Sequence, residues 1–156
     1  MIPKHVVLDT NVCLDLFVFR DPRWRVLLEA MEDGSVVAVT RADCRDEWLA
    51  VLQYRHLPLE EDSRARAAGE FDRLVRVVEA PAPSSAPAAL PVCSDGDDQK
   101  FMEVARDAGA GVLITKDKAL LKLARRTARA GLFRILTPEA WLAEMQQATM
   151  ADPASG

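Results

Sequence analysis

Histidine, cysteine and tyrosine are scarce: the 156 residues include two, three and one of them. The two histidines, His5 and His56, offer no pair for general acid–base work. His5 opens an apolar run and His56 sits among loop-forming residues, so both read as structural or solvated. The cysteines Cys13, Cys44 and Cys93 are odd in number, far apart and without a CxxC pair. That pattern argues against a disulfide framework, and a reducing, cytoplasmic compartment is the economical expectation. Long apolar runs are missing too. Val6 to Leu8 and Val112 to Ile114 are far too short to span a bilayer, and residues 1–20 lack the charged, apolar and small-residue order of a signal peptide, so neither a membrane nor export is expected. There is also no basic excess. Lysine and arginine number 20 against 24 aspartates and glutamates, a net charge of −4, which is not the signature of a surface that grips nucleic acid all over.

What is present is a globular composition, 49% hydrophobic and 28% charged, in a chain long enough for one domain with its own core. Strand and helix patterns alternate. Strands are expected at His5 to Asp9, Val36 to Thr40, Val75 to Val78, Val112 to Thr115 and Phe133 to Leu136. Between them fall helices at about 12–19, 22–33, 42–53, 62–74, 97–108 and 117–129, and a last helix from Pro138 to about Gln146. This order predicts an α/β fold, a parallel sheet covered on both faces, with one domain over residues 1–146 and a flexible tail over 147–156. Ala80 to Val92 carries Pro81, Pro83, Pro87 and Pro91 and reads as a long loop, either functional or a stiff connector. Trp24, Trp48 and Trp141 either complete the core or offer apolar area to a second copy.

The acidic residues carry the functional signal. Asp9 ends the first strand and Asp117 stands two residues beyond the fourth, where parallel sheets bind ligands, although either alone also fits a helix cap. In the run Ser94-Asp-Gly-Asp-Asp-Gln-Lys100, offsets of three, four and seven from Asp98 give Phe101, Met102 and Ala105. Asp98 therefore heads the apolar face of its helix, whereas Asp95 and Asp97 belong to the loop and cap. A carboxylate so placed needs a cationic partner. Glu47 lies one turn into the helix after the second strand. Four acids from separate strand-to-helix junctions suit a hard divalent cation such as Mg²⁺ or Mn²⁺.

The ordered set Val-Val-Leu-Asp9-Thr-Asn11, Glu47-Trp-Leu-Ala-Val-Leu, Asp98-Gln-Lys-Phe-Met-Glu-Val-Ala105 and Val-Leu-Ile-Thr-Lys-Asp117 resembles the PIN-domain ribonucleases. It is most similar to the branch described as toxins of toxin–antitoxin systems. The resemblance spans about Ile2 to Leu142 and implies a three-layer α/β/α sandwich. It further implies Mg²⁺- or Mn²⁺-dependent RNA hydrolysis, Asp9, Glu47, Asp98 and Asp117 as catalytic, metal-binding acids, and Asn11 and Thr115 as their polar support. A cognate antitoxin and a homodimer are the implied protein partners. Lys116 stands where the family commonly has glycine or arginine.

Hydrolysis by a metal-activated water leaves 5′-phosphate and 3′-hydroxyl ends. Lys118, Lys122, Arg125, Arg126, Arg129 and Arg134 form an acid-free basic stretch beside Asp117, and Lys118, Lys122, Arg125 and Arg126 are the expected RNA contacts. The stretch also fits a solvated helix face. Arg64, Arg66, Arg73 and Arg76 are diluted by Glu70 and Asp72. Two other readings stand beside the nuclease. A haloacid-dehalogenase-like phosphatase would need an aspartate where Asn11 stands and the reverse order of its Thr-Lys and Gly-Asp-Asp steps. The other is a non-catalytic PIN-fold module that binds protein.

Overall fold

Alternate residues of the strand Lys4–Leu8 (β1) enter opposite cores, because successive side chains on a strand point to opposite faces. Val6 and Leu8 join one core, Val7 the other. The computed structural model describes residues 4–54, 57, 59–79 and 87–151, without the side chains of 149–151. His56, Pro81, Pro83 and residues 152–156 of the expected tail lie outside the described residues.

After β1, a short helix Thr10–Cys13 (α1) widens into a π-helical turn, Leu14–Val18. A 3₁₀ turn at Pro22–Trp24 leads into Arg25–Asp33 (α2), and Val36–Thr40 forms β2. Helices Ala42–Val51 (α3) and Glu61–Leu74 (α4) precede Val75–Val77 (β3). A 3₁₀ turn, Gly96–Asp98, opens Gln99–Asp107 (α5), followed by Val112–Ile114 (β4). Lys118–Leu121 (α6), Ala124–Arg129 (α7), Arg134–Leu136 (β5) and Pro138–Ala151 (α8) complete the chain.

The five strands are all parallel, in the order β3-β2-β1-β4-β5. The chain first builds outward from β1 on one side, then crosses back to place β4 on its other side. The order therefore reverses between β1 and β4, and the carboxyl ends of these two strands form the crevice where such sheets bind ligands. On one face, Phe17, Leu27, Trp48, Phe71 and Trp141 pack with Val6, Leu8, Ala38 and Ile114. Trp48 stacks on Phe71 at 5.2 Å and Phe17 meets both edge-on. On the other face, Phe101, Met102, Leu120 and Phe133 pack with Val7, Val39, Leu113 and Ile135. This is the expected α/β/α sandwich. All three tryptophans are buried in the chain's own core, so none of them supplies apolar area to a second copy.

Several expected bounds need correction: the helix expected over 12–19 begins at Thr10 and widens into the π-helical turn from Leu14, β3 ends at Val77 rather than Val78, and β5 starts at Arg134 rather than Phe133. The helix expected over 117–129 is two helices, because the N–H of Leu123 bonds to the carbonyl of Leu120 in a tighter turn that lets Leu120, Leu123 and Thr127 all be buried. The last helix passes Gln146 and runs to Ala151, so residues 147–151 are not tail. They contain no breaker, and Pro153 follows. The strands β1 and β4 end at Leu8 and Ile114, one residue early: the N–H of Asp9 still bonds the carbonyl of Ile114 and that of Thr115 the carbonyl of Leu136, and beyond these bonds each chain segment leaves the sheet towards its helix. Part of the proline-rich stretch is tied down: Gln99 bonds the N–H of Cys93 and the carbonyl of Pro91, and Arg106 reaches the carbonyl of Ala88.

Candidate metal centre

Asp9 caps α1, where its carboxylate accepts the N–H of Asn11 at 3.4 Å. Across the β1–β4 crevice, the hydroxyl of Thr115 donates to Asp9 Oδ2 at 2.5 Å and accepts the N–H of Asp117 at 2.9 Å. Thr115 is fully buried, so one side chain fixes the two strand ends against each other. Asp117 in turn caps α6 by accepting the N–H of Ala119 at 2.7 Å. The capping roles expected for Asp9 and Asp117 are therefore real, but each uses one carboxylate oxygen.

Asp98 closes the 3₁₀ turn that opens α5 and is 9% exposed. Its Oδ2 has no hydrogen-bond partner among the described residues. Among the described residues no side chain supplies the cationic partner that its position calls for: Asp117, Asp9 and Asp95 surround it instead. Carboxylate oxygens of Asp95, Asp98 and Asp117 lie within 4.8 Å of one another. Burial, and next the neighbouring carboxyl of Asp117, push the pKa of Asp98 up to about 7. Burial also raises Asp9, against the lowering effect of Thr115 and the Asn11 N–H, and the charges of Asp117 and Glu47 add to the rise. A nest of crowded carboxyls with an orphaned buried oxygen is destabilised as it stands and fits a hard cation.

Glu47 faces this nest from α3 but is engaged: Thr10 donates its hydroxyl to Oε2, and Lys100 Nζ lies 2.8 Å from Oε1. Asn11 supports the site through its backbone. Lys116, between Thr115 and Asp117, pairs at 2.6 Å with the buried Asp15. Sequence reasoning missed Thr10, Asp15 and Lys100 and left Asp95 in the loop. Asp95 does cap the 3₁₀ turn, accepting the N–H of Asp97 at 3.0 Å, yet it also reaches the nest. Only the place of Thr10 next to Asp9 and of Lys100 two residues after Asp98 signalled these residues; Asp15 gave no signal. Lys118, Lys122, Arg125 and Arg126 are exposed on α6, on α7 and at the turn joining them, whereas Arg134 is paired with Glu144.

Thr115→Val removes both bonds of a buried hydroxyl. Its expected cost is about 1–3 kcal/mol of stability, read from urea unfolding, with divalent-ion affinity lowered about 10–100-fold because Asp9 and Asp117 lose their common support.

No curated protein matches the chain. The PIN domain family model matches residues 5–119, well over half of the sequence, and takes in Asp9, Glu47, Asp95, Asp98 and Asp117. That match leaves the dehalogenase-like phosphatase reading without support. With a five-stranded parallel sheet, helices on both faces and an acidic nest at the strand-order reversal, the chain belongs to the PIN domain family, whose members are typically metal-dependent nucleases.

Proposed function

We propose that this protein is a divalent-metal-dependent endoribonuclease, the toxin of a toxin–antitoxin pair, working in the cytoplasm. The observation that carries the nuclease reading is the buried, unpartnered Asp98 Oδ2 among Asp9, Asp95 and Asp117. Asp98 and Asp117, joined by Asp95 and flanked by Asp9, would hold Mg²⁺ or Mn²⁺, with Glu47 beside them paired to Lys100. A bound ion would supply acidified water and positive charge against the developing charge of the scissile phosphodiester. Thr115 keeps Asp9 oriented through the bond its hydroxyl donates to Oδ2, and Asp98 would bind the ion as a carboxylate. RNA as the substrate, a cognate antitoxin and a homodimer are supported by the resemblance to the toxin branch. The exposed cations beside Asp117 support a local path for the RNA backbone.

Incubating the purified chain with a mixed RNA pool and Mg²⁺ or Mn²⁺, then mapping the cut ends, tests this reading. Cleavage that needs the ion and is lost in Asp9→Asn supports it, and an intact pool leaves the non-catalytic binding module. Arg125→Ala and Arg126→Ala should each weaken RNA binding and flatten its salt dependence by about 0.7 in the log–log slope, with the chemical step little changed. Filter binding across salt concentrations reads this out.

A further inference from the structure

Glu47 is the one acid of the expected four whose carboxylate is satisfied at both oxygens by side chains, Lys100 at Oε1 and Thr10 at Oε2. Lys100 is in turn held: its ammonium also donates to the carbonyl of Asp97, and its side chain is 18% exposed. The pair belongs to a seam between α3 and the start of α5. Three residues further along α5, Glu103 meets Arg41 at 2.8 Å, and Arg41 also grips Asp43 at the start of α3. Glu47 is therefore built into a helix–helix contact, while Asp95, Asp98 and Asp117 stand together with one oxygen orphaned. A cation that bound Glu47 directly would have to displace the ammonium and leave it half-buried beside a dication, with its donors unmet.

We propose that Lys100 is a resident counter-ion, occupying the place a second divalent ion would take at Glu47, so that each chain binds one divalent ion and Glu47 does not ligate it. This rests on the metal-dependent reading above. Glu47 and Lys100 together contribute no net charge to the nest; removing Glu47 alone would leave Lys100 facing the bound ion, and removing Lys100 alone would free Glu47 to ligate. The informative variant is therefore the one that removes both charges at once.

The test is Mn²⁺ titration of the full chain by calorimetry, with electron paramagnetic resonance to detect coupled ions. The wild type should bind one Mn²⁺ per chain, and the neutral double variant Glu47→Gln/Lys100→Met should also bind one, with Kd within about threefold of wild type. Asp98→Asn should lose about a hundredfold or more in affinity. Lys100→Met alone should gain a second ion and an exchange-coupled Mn²⁺ spectrum. Two ions in the wild type, or a loss in the double variant as large as that of Asp98→Asn, overturns the inference while leaving the metal centre standing. A wild type that binds no Mn²⁺ overturns the centre and the inference together. Should Lys100→Met fail to fold, the wild-type count and the double variant still decide.

Discussion

Asp98→Asn should lower RNA cleavage by about a thousandfold or more, equivalent to about 4 kcal/mol of barrier, while the chain stays folded. The substitution is nearly isosteric and removes charge from the nest rather than volume from either core. It should also make the metal-free protein more stable at neutral pH. The Asp98 carboxyl titrates near 7 in the folded chain against 3.8 unfolded, so the folded state binds its proton the more tightly. Its contribution is therefore fully present below pH 3.8, falls as the pH rises towards 7, and is lost above that. Because the carboxyl is coupled to Asp117, the loss is on the order of 2 to 4 kcal/mol. Urea unfolding in chelator at pH 5 and pH 8 checks this: the variant should gain on the wild type as the pH rises. A variant that loses stability relative to wild type at pH 8 would show that Asp98 has a cationic partner.

Chelation should stop cleavage altogether, and the products made with Mn²⁺ should carry 5′-phosphates that a ligase joins without kinase treatment. At one hundred times its Kd, Mn²⁺ should add about 2.7 kcal/mol of stability, a rise in Tm on the order of 5 to 10 °C. The rise should vanish in Asp98→Asn. Chelator-resistant activity leaving 2′,3′-cyclic phosphates would contradict the mechanism, because the nucleophile would then belong to the RNA and the carboxylates would have no task.

The sheet and its carboxyl-end crevice were legible in the sequence because short β-branched runs alternate with amphipathic helices. Val36–Thr40 is the clearest case, its bounds unchanged in the structure. Asp98 was legible because its offsets to Phe101 and Met102 placed it on the buried face of α5, and both residues are buried. What the pattern could not supply was pairing across long separations. Lys100 and Glu47 are 53 residues apart, and Lys116 and Asp15 are 101 apart; nothing in the neighbouring sequence shows that either cation is already paired. The break between α6 and α7 was hidden because a basic amphipathic stretch keeps helical periodicity through a single tight turn. The end of α8 was missed for the opposite reason: residues 147–151 have weak periodicity, yet nothing in them stops a helix.

The bond between Thr115 and Asp9 joins residues 106 positions apart, across the two strands at the reversal of strand order. While the chain is being synthesised, β1, β2 and β3 can pair as they emerge, but the acidic nest has only one wall until β4 docks against β1. Asp9 then remains a helix cap open to water, with neither Thr115 to orient it nor Asp117 to share a cation. The acidic nest is therefore complete only once residues 112–117 have been made and β4 has docked, and a fragment that ends before β4 should hold no divalent ion there.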